Sequence, residues 1–139
     1  MLASRDKVLN LIPQKFPFVM VDELLNYSEE NLKSRFTVGS NNIFVYNDFF
    51  IESGVIENMA QSVALHTGYQ FFLLNKIAPT GYIGSIKKIE INRLPRLGEI
   101  LETSVFILQE FMGVTLVDIE VMIKGKVIAK GQMKTVLSK

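Results

Sequence analysis

The chain has no cysteine and a single histidine among its 139 residues. Without cysteine there is no disulfide framework, no thiolate nucleophile and no thiolate metal site. One histidine also rules out a histidine-rich metal cluster. Neither charge is in excess: 15 basic residues face 14 acidic ones, for a formal net charge of +1. A general nucleic-acid binder carries a strong basic excess, so no nucleic-acid partner is expected. No run of about 18 apolar residues exists, so no membrane span is expected. The mixed-charge start Met1-Leu2-Ala3-Ser4-Arg5-Asp6-Lys7 leads into no long apolar stretch, so no signal peptide is expected. Glycine-rich phosphate loops, Ser-His-Asp spacings and metal-ligand motifs are missing. So are repeats, linkers and low-complexity segments. What remains is one domain over residues 1–139, expected in the cytoplasm. Its hydrophobic content of 48% is too high for disorder and sufficient for a core.

What the chain does contain is one long apolar helix with a single carboxylate. From about Ser53 to Asn75 there is no proline and no acidic or basic residue other than Glu57. His66 and Tyr69 are the only other titratable groups there. A helix of roughly 22 residues spans about 33 Å. One that is apolar on nearly every face is buried. An isolated buried carboxylate is expensive, so Glu57 has partners or a function.

The rest of the chain reads as strands. Ser4 is expected to cap a helix of about two turns that Pro13 ends. Phe18 to Tyr27 and Lys33 to Val38 read as strands joined by the polar turn Ser28-Glu29-Glu30-Asn31. Asn41 to Phe50 reads as an irregular aromatic loop. After the break at Pro79-Thr80-Gly81 come four strand candidates: Tyr82 to Asn92, Ile100 to Glu110, Val114 to Ile123 and Val127 to Leu137. Thr115, Val117, Ile119, Val121 and Ile123 share one face of the third. Ala129, Met133 and Thr135 oppose Lys130, Gln132 and Lys134 on the fourth. Met112-Gly113 and Lys124-Gly125-Lys126 read as hairpin turns. A buried helix needs apolar surface on many sides, and a strongly curved antiparallel sheet wrapped around it supplies that. The expected class is α+β.

Three segments resemble the hotdog-fold β-hydroxyacyl-acyl-carrier-protein dehydratases. Ile12-Pro13-Gln14-Lys15-Phe16-Pro17-Phe18-Val19-Met20-Val21-Asp22 is similar to the family's N-terminal motif. Gly54-Val55-Ile56-Glu57-Asn58-Met59-Ala60-Gln61 resembles its helix motif. Ile83 to Lys88, through Leu94-Pro95-Arg96-Leu97-Gly98-Glu99, resembles its later strand and turn. The Gly-Val-Ile-Glu spacing is closer to the branch acting in polyene and aryl-polyene assembly. The resemblance implies a hotdog fold, with one long central helix in a curved antiparallel sheet. It also implies a homodimer whose shared active sites take thioesters of an acyl carrier protein or coenzyme A, and no metal or redox cofactor. In the family a histidine of one subunit faces the helix carboxylate of the other. That maps the carboxylate to Glu57 and the histidine to position 14, where this chain has Gln14.

The departure matters because dehydration of a β-hydroxyacyl thioester removes an α-proton and protonates the leaving hydroxyl, work suited to a titratable pair. Glutamine exchanges no proton near neutral pH; it only donates and accepts hydrogen bonds. Three readings stay open. Glu57 performs both proton transfers while Gln14 orients the substrate. Alternatively, Glu57 activates a water for thioester hydrolysis. In the third, the chain binds acyl groups without turnover, as partner to a second, catalytic hotdog subunit. His66 lies nine residues beyond Glu57, near the opposite helix face, and reads as a packed histidine rather than a replacement. Gly54, with Ser53 as N-cap, is expected to offer a backbone N–H to the thioester oxyanion. Gln61 is expected to bond the carboxylate, the substrate or the backbone. Asn58 is expected to reach the pocket from the next stripe. Phe16 and Phe50 flank the motifs and are expected to line an acyl tunnel, although aromatics are mostly core. Arg93 and Arg96, with Lys87 or Lys88, are a candidate basic rim for an acidic carrier.

Overall fold

The structure, a computed structural model, describes residues 1–138. In chain order the elements are α1 (Arg5–Val8), β1 (Glu23–Tyr27), β2 (Asn31–Thr37), β3 (Val45–Tyr46), β4 (Phe49–Phe50), α2 (Glu52–Leu73), β5 (Gly81–Ile91), β6 (Ile100–Phe111), β7 (Val114–Ile123) and β8 (Lys126–Leu137). Six strands form one antiparallel sheet in the order β1-β2-β6-β7-β8-β5, and β3 pairs with β4 separately.

The turns follow from the sequence. Met112-Gly113 and Lys124-Gly125 have positive φ at both central residues, at 52° and 80° and at 50° and 79°. This two-residue geometry matches the twist of the flanking strands. Asn47-Asp48 does the same between β3 and β4, inside the stretch that reads as an irregular loop. In β7 the alternation buries Val117, Ile119, Val121 and Ile123. In β8 it buries Ala129, Gly131 and Met133, with Lys130 and Lys134 outside. Register shifts interrupt β1–β2, β6–β7, β7–β8 and, twice, β5–β8. Bulges of this kind bend a strand and raise its twist. They curve the sheet around α2, which packs on β2, β5, β6 and β7.

Two expectations change at the helix. Its N-cap is Ile51 rather than Ser53, with no side-chain cap. The residues before it are already held, Phe50 N–H on the Pro95 carbonyl and Ile51 N–H on the Phe44 carbonyl, so the helix begins at Glu52. At the other end Asn75 takes a left-handed φ of 55°. Its N–H bonds Phe72 O and the Lys76 N–H bonds Phe71 O, both at 3.0 Å, which is a Schellman stop. Burial is also uneven. Val55, Met59, Val63 and Leu65 are in the core, whereas Leu73 and Ile77, near the helix end, are 54% and 96% exposed. Strand β5 is an edge strand, exposed along most of its length. Among the described residues no helix is long and apolar enough to cross a membrane.

The first segment departs from expectation as well. Helix α1 is a single turn, and β1 starts at Glu23 rather than Phe18. Phe18 lies in a bend, its N–H on the Lys15 carbonyl, and residues 19–22 form no strand; side chains of α2 take part of the hydrogen bonding that a strand partner would supply.

Candidate functional site

Gln61 connects these two parts. It is fully buried. Its Oε1 accepts the Met20 N–H at 2.6 Å and its Nε2 donates to the Phe18 carbonyl at 2.8 Å. Only the amide oxygen can face an N–H and only the nitrogen a carbonyl, so the flip is fixed. The same Nε2 donates to Glu57 Oε2 at 2.7 Å. Glu57, one turn earlier, is half-buried. Gln61 therefore binds both the carboxylate and the backbone, and it does not itself line the cavity, described below, where a substrate would meet it. It holds one carboxylate oxygen of Glu57, a residue that lines that cavity.

Asn58 does different work. It is fully buried, its Nδ2 donating to the Met20 carbonyl at 2.7 Å and its Oδ1 accepting from Thr103 Oγ1 at 2.6 Å. It pins the segment around Met20 to α2 and β6 and does not line the cavity described below. Asp22 closes that segment by accepting the Thr37 N–H at 2.8 Å.

A cavity of about 440 Å³ runs beside α2, within the range of small-molecule sites. Among the described residues Glu57 is its only acidic lining residue and Lys76 its only cation. Ala60, Ala64, Thr67 and Gly68 form its helix side, with Leu11 to Gln14 opposite and Tyr82 and Ile83 of edge strand β5 at a third wall. Gln14 and Glu57 of a single chain thus line the same cavity, whereas the resemblance drew them from different subunits. Gln14 Oε1 is buried and has no hydrogen-bond partner among the described residues. Such an oxygen calls for a donor, a hydroxyl or a water. The small residues at Ala60, Ala64 and Gly68 were not singled out from the sequence, although their spacing from Glu57 is the helical repeat of one stripe.

Gly54, Phe50 and Phe16 stand outside the cavity as Asn58 does. The Gly54 N–H bonds Ile51 O at 2.9 Å, so it is not free for an oxyanion. A Cβ at Gly54 would lie 2.5 Å from Phe50 Cε1 and 2.8 Å from Phe44 Cβ, so packing explains the glycine. Phe50 is fully buried against Phe36, ring centroids 5.4 Å apart. Phe16 is 88% exposed and outside the cavity. The basic rim is also weaker than expected. Arg93 donates to both oxygens of Glu99 at 2.8 and 3.0 Å, and Arg96 N–H adds a third bond at 2.8 Å. The Arg93 guanidinium and these bonds hold the Glu99 carboxyl down at about 2.

His66 is buried away from Glu57. Its Nε2 donates to the Ser28 carbonyl at 2.8 Å and its ring lies 4.9 Å from that of Tyr27. Burial lowers its pKa below the ordinary 6.5, outweighing the Ser28 bond. A group depressed in the folded state contributes stability that is complete above the unfolded value and lost as pH falls. Thermal stability should therefore decline below about pH 6.5, and less steeply in His66→Gln. Melting curves across that window check this; identical slopes in both proteins would contradict it. Among the described residues no three of His, Asp and Glu gather to hold a metal ion.

With this geometry established, similarity to known proteins becomes informative. The family model described as "ApeP-like: ApeP dehydratase" matches residues 6–139. A 3-hydroxyacyl-[acyl-carrier-protein] dehydratase FabZ from Pseudothermotoga lettingae is 27% identical over 132 residues, covering 89% of each chain. Among solved structures, a chain of the dehydratase heterocomplex ApeI:P from Xenorhabdus doucetiae matches with a TM-score of 0.89 at 18% identity, over 95% of this chain and 91% of that one. A hypothetical thioesterase with coenzyme A from Streptococcus pneumoniae TIGR4 matches with a TM-score of 0.67 at 11% identity, over 84% of each. At such identities the two structural likenesses establish the hotdog fold alone.

Proposed function

This chain belongs to the ApeP-like dehydratase family, and from that premise we propose that it removes water from 3-hydroxyacyl thioesters with Glu57 as the one group that moves the proton. The Glu57 carboxylate takes a proton from the α-carbon. The freed electron pair forms the Cα–Cβ double bond, and the β-hydroxyl departs as water with the proton Glu57 has just received. The products are a 2-enoyl thioester and water, and Glu57 returns ionised. Both transfers occur on one face of the substrate, so one carboxylate suffices. Gln14 Oε1 accepts a hydrogen bond from the β-hydroxyl and turns its lone pair toward Glu57. The observation that carries this reading is that, among the described residues, the cavity's single carboxylate shares it with an amide oxygen that has no partner. The thioester is carried by an acyl carrier protein or coenzyme A; the FabZ relative's name supports the former.

A second hotdog subunit completes the site. The support is the open edge of β5, whose Tyr82 and Ile83 line the cavity, and the exposed Phe72 and Ile77 beside it. A second copy of this chain would give a homodimer. The ApeI:P heterocomplex supports a non-identical subunit in the same place.

Mass spectrometry of a 3-hydroxyacyl-carrier thioester incubated with the protein tests the reaction. Loss of water from the acyl group is expected. Release of free acid would make it a thioesterase, and an unchanged substrate would make it a non-catalytic subunit. Gln14→His adds a second titratable group and should raise the rate by about 10-fold or more. An unchanged rate would put position 14 outside the path of the proton.

A further inference from the structure

Two amide side chains of α2 grip the backbone of one residue, Met20. Gln61 Oε1 accepts its N–H at 2.6 Å and Asn58 Nδ2 donates to its carbonyl at 2.7 Å. The two amides stand three residues apart and are neighbours on the helix surface. Met20 is fully buried, so bulk water competes for neither group.

This grip decides which way Gln61 points. An N–H needs an acceptor and a carbonyl needs a donor, so Met20 and Phe18 together turn Gln61 Nε2 toward Glu57. A carboxylate accepts hydrogen bonds and donates none. The opposite orientation would present an amide oxygen, which suits only a protonated Glu57, a form that takes no proton from carbon. Met20 is held on its other side by Asn58. Thr103 Oγ1 steadies the Asn58 amide by donating to its Oδ1 at 2.6 Å, and both residues are fully buried. The contacts thus run from β6 through Thr103, Asn58, Met20 and Gln61 to the carboxylate.

We infer that Asn58, steadied by Thr103, is a positioning residue for Glu57: by anchoring Met20 it keeps a hydrogen-bond donor facing the carboxylate. The inference rests on the reading of Glu57 as the group that takes the α-proton. Without the Asn58 amide the Met20 carbonyl stays buried with no donor, which is unfavourable. Relief moves Met20, and with it the pattern of donor and acceptor that orients Gln61. A second buried pair supplies the comparison. Ser34 of β2 and Ser62 of α2 bond Oγ to Oγ at 2.8 Å and are fully buried. Their link to Asn58 is its main-chain carbonyl, not its amide side chain.

The test reads kcat and KM for a 3-hydroxyacyl thioester, and the side-chain amide signal of Gln61 in NMR spectra of the same purified proteins. Asn58→Ala should lower kcat by about 10-fold with KM unchanged, the mark of a displaced reacting group rather than of lost binding. Thr103→Val should lower kcat to a smaller extent, while Thr103→Ser, which keeps the hydroxyl, should retain the parent's value. The Gln61 amide signal should move in Asn58→Ala and in Thr103→Val. Ser34→Ala should lower the melting temperature yet leave kcat and that signal as in the parent. Should Asn58→Ala not fold, the two Thr103 variants carry the comparison. A fall in kcat no larger in Thr103→Val than in Ser34→Ala, or an unmoved Gln61 signal, overturns the positioning role. A moved signal in a protein whose parent dehydrates nothing would keep Asn58 as the anchor of Gln61 and remove the reaction assigned to Glu57.

Discussion

Glu57→Gln should abolish water loss from a 3-hydroxyacyl thioester, lowering the rate by about 10²–10⁴-fold. The substitution keeps the shape of the side chain and removes only its capacity to exchange a proton. The neighbourhood accepts it. Gln61 can still donate its N–H, now to an amide oxygen, so the bond seen at 2.7 Å keeps a partner of the right kind. The bonds from Gln61 to Met20 and Phe18 do not involve Glu57 at all. Melting temperature and substrate affinity should therefore stay close to those of the parent while turnover falls. That separation makes the test specific: a folded protein that still binds but no longer dehydrates has lost chemistry. The effect should exceed that seen in enzymes with two titratable groups, because no imidazole at position 14 is present to take over. Turnover within a few-fold of the parent would place the proton transfers on another group and end the single-carboxylate reading.

What the sequence made legible follows from how local each signal is. Hairpin turns at Met112-Gly113 and Lys124-Gly125 depend on two residues, and both formed as expected. The alternation of β7 and β8 depends on one strand facing a core, and it holds from Val117 to Ile123 and from Ala129 to Lys134. The long helix was readable because it lacks proline and charge over many turns, and Glu57 stood out as the exception. The expectations that failed needed information from distant residues. Phe18 to Asp22 has the composition of a strand. Part of its backbone is nevertheless satisfied by the side chains of Gln61 and Asn58, which lie some 40 positions away. Gly54 resembles an oxyanion donor by position, but its need for glycine comes from the ring of Phe50 and the Cβ of Phe44. Phe16 and Phe50 are both aromatic and both flank motifs, yet one is almost wholly exposed and the other fully buried. Local composition does not distinguish them. Gly68 carried the largest missed constraint, since its contact lies far back in the chain.

Gly68→Ala is the substitution with the largest expected structural effect. On helix propensity alone it should stabilise α2 by about 1 kcal/mol. Packing reverses the sign. An ideal Cβ at this position would sit 1.8 Å from the Leu11 carbonyl oxygen and 2.8 Å from its carbon. Both atoms are backbone, so no side-chain rotation relieves the clash. The segment around Leu11 cannot yield freely either, because Val8, Leu11 and Ile12 are in the core. Overpacking of this kind costs about 3 kcal/mol, enough to outweigh the propensity gain. For a domain of this size the melting temperature should drop by roughly 6–10 °C. The relief that is available moves Leu11 to Gln14 away from α2, which widens the cavity and carries Gln14 from its place opposite the helix. Turnover should therefore fall even at temperatures where the variant is folded. Gly39→Ala is the matched control, since a Cβ there meets nothing within 4 Å. Its thermal unfolding and rate should match the parent's. If Gly68→Ala instead proved as stable as the parent and as active, then the close approach of Leu11 to the helix would not be what sets this wall of the cavity.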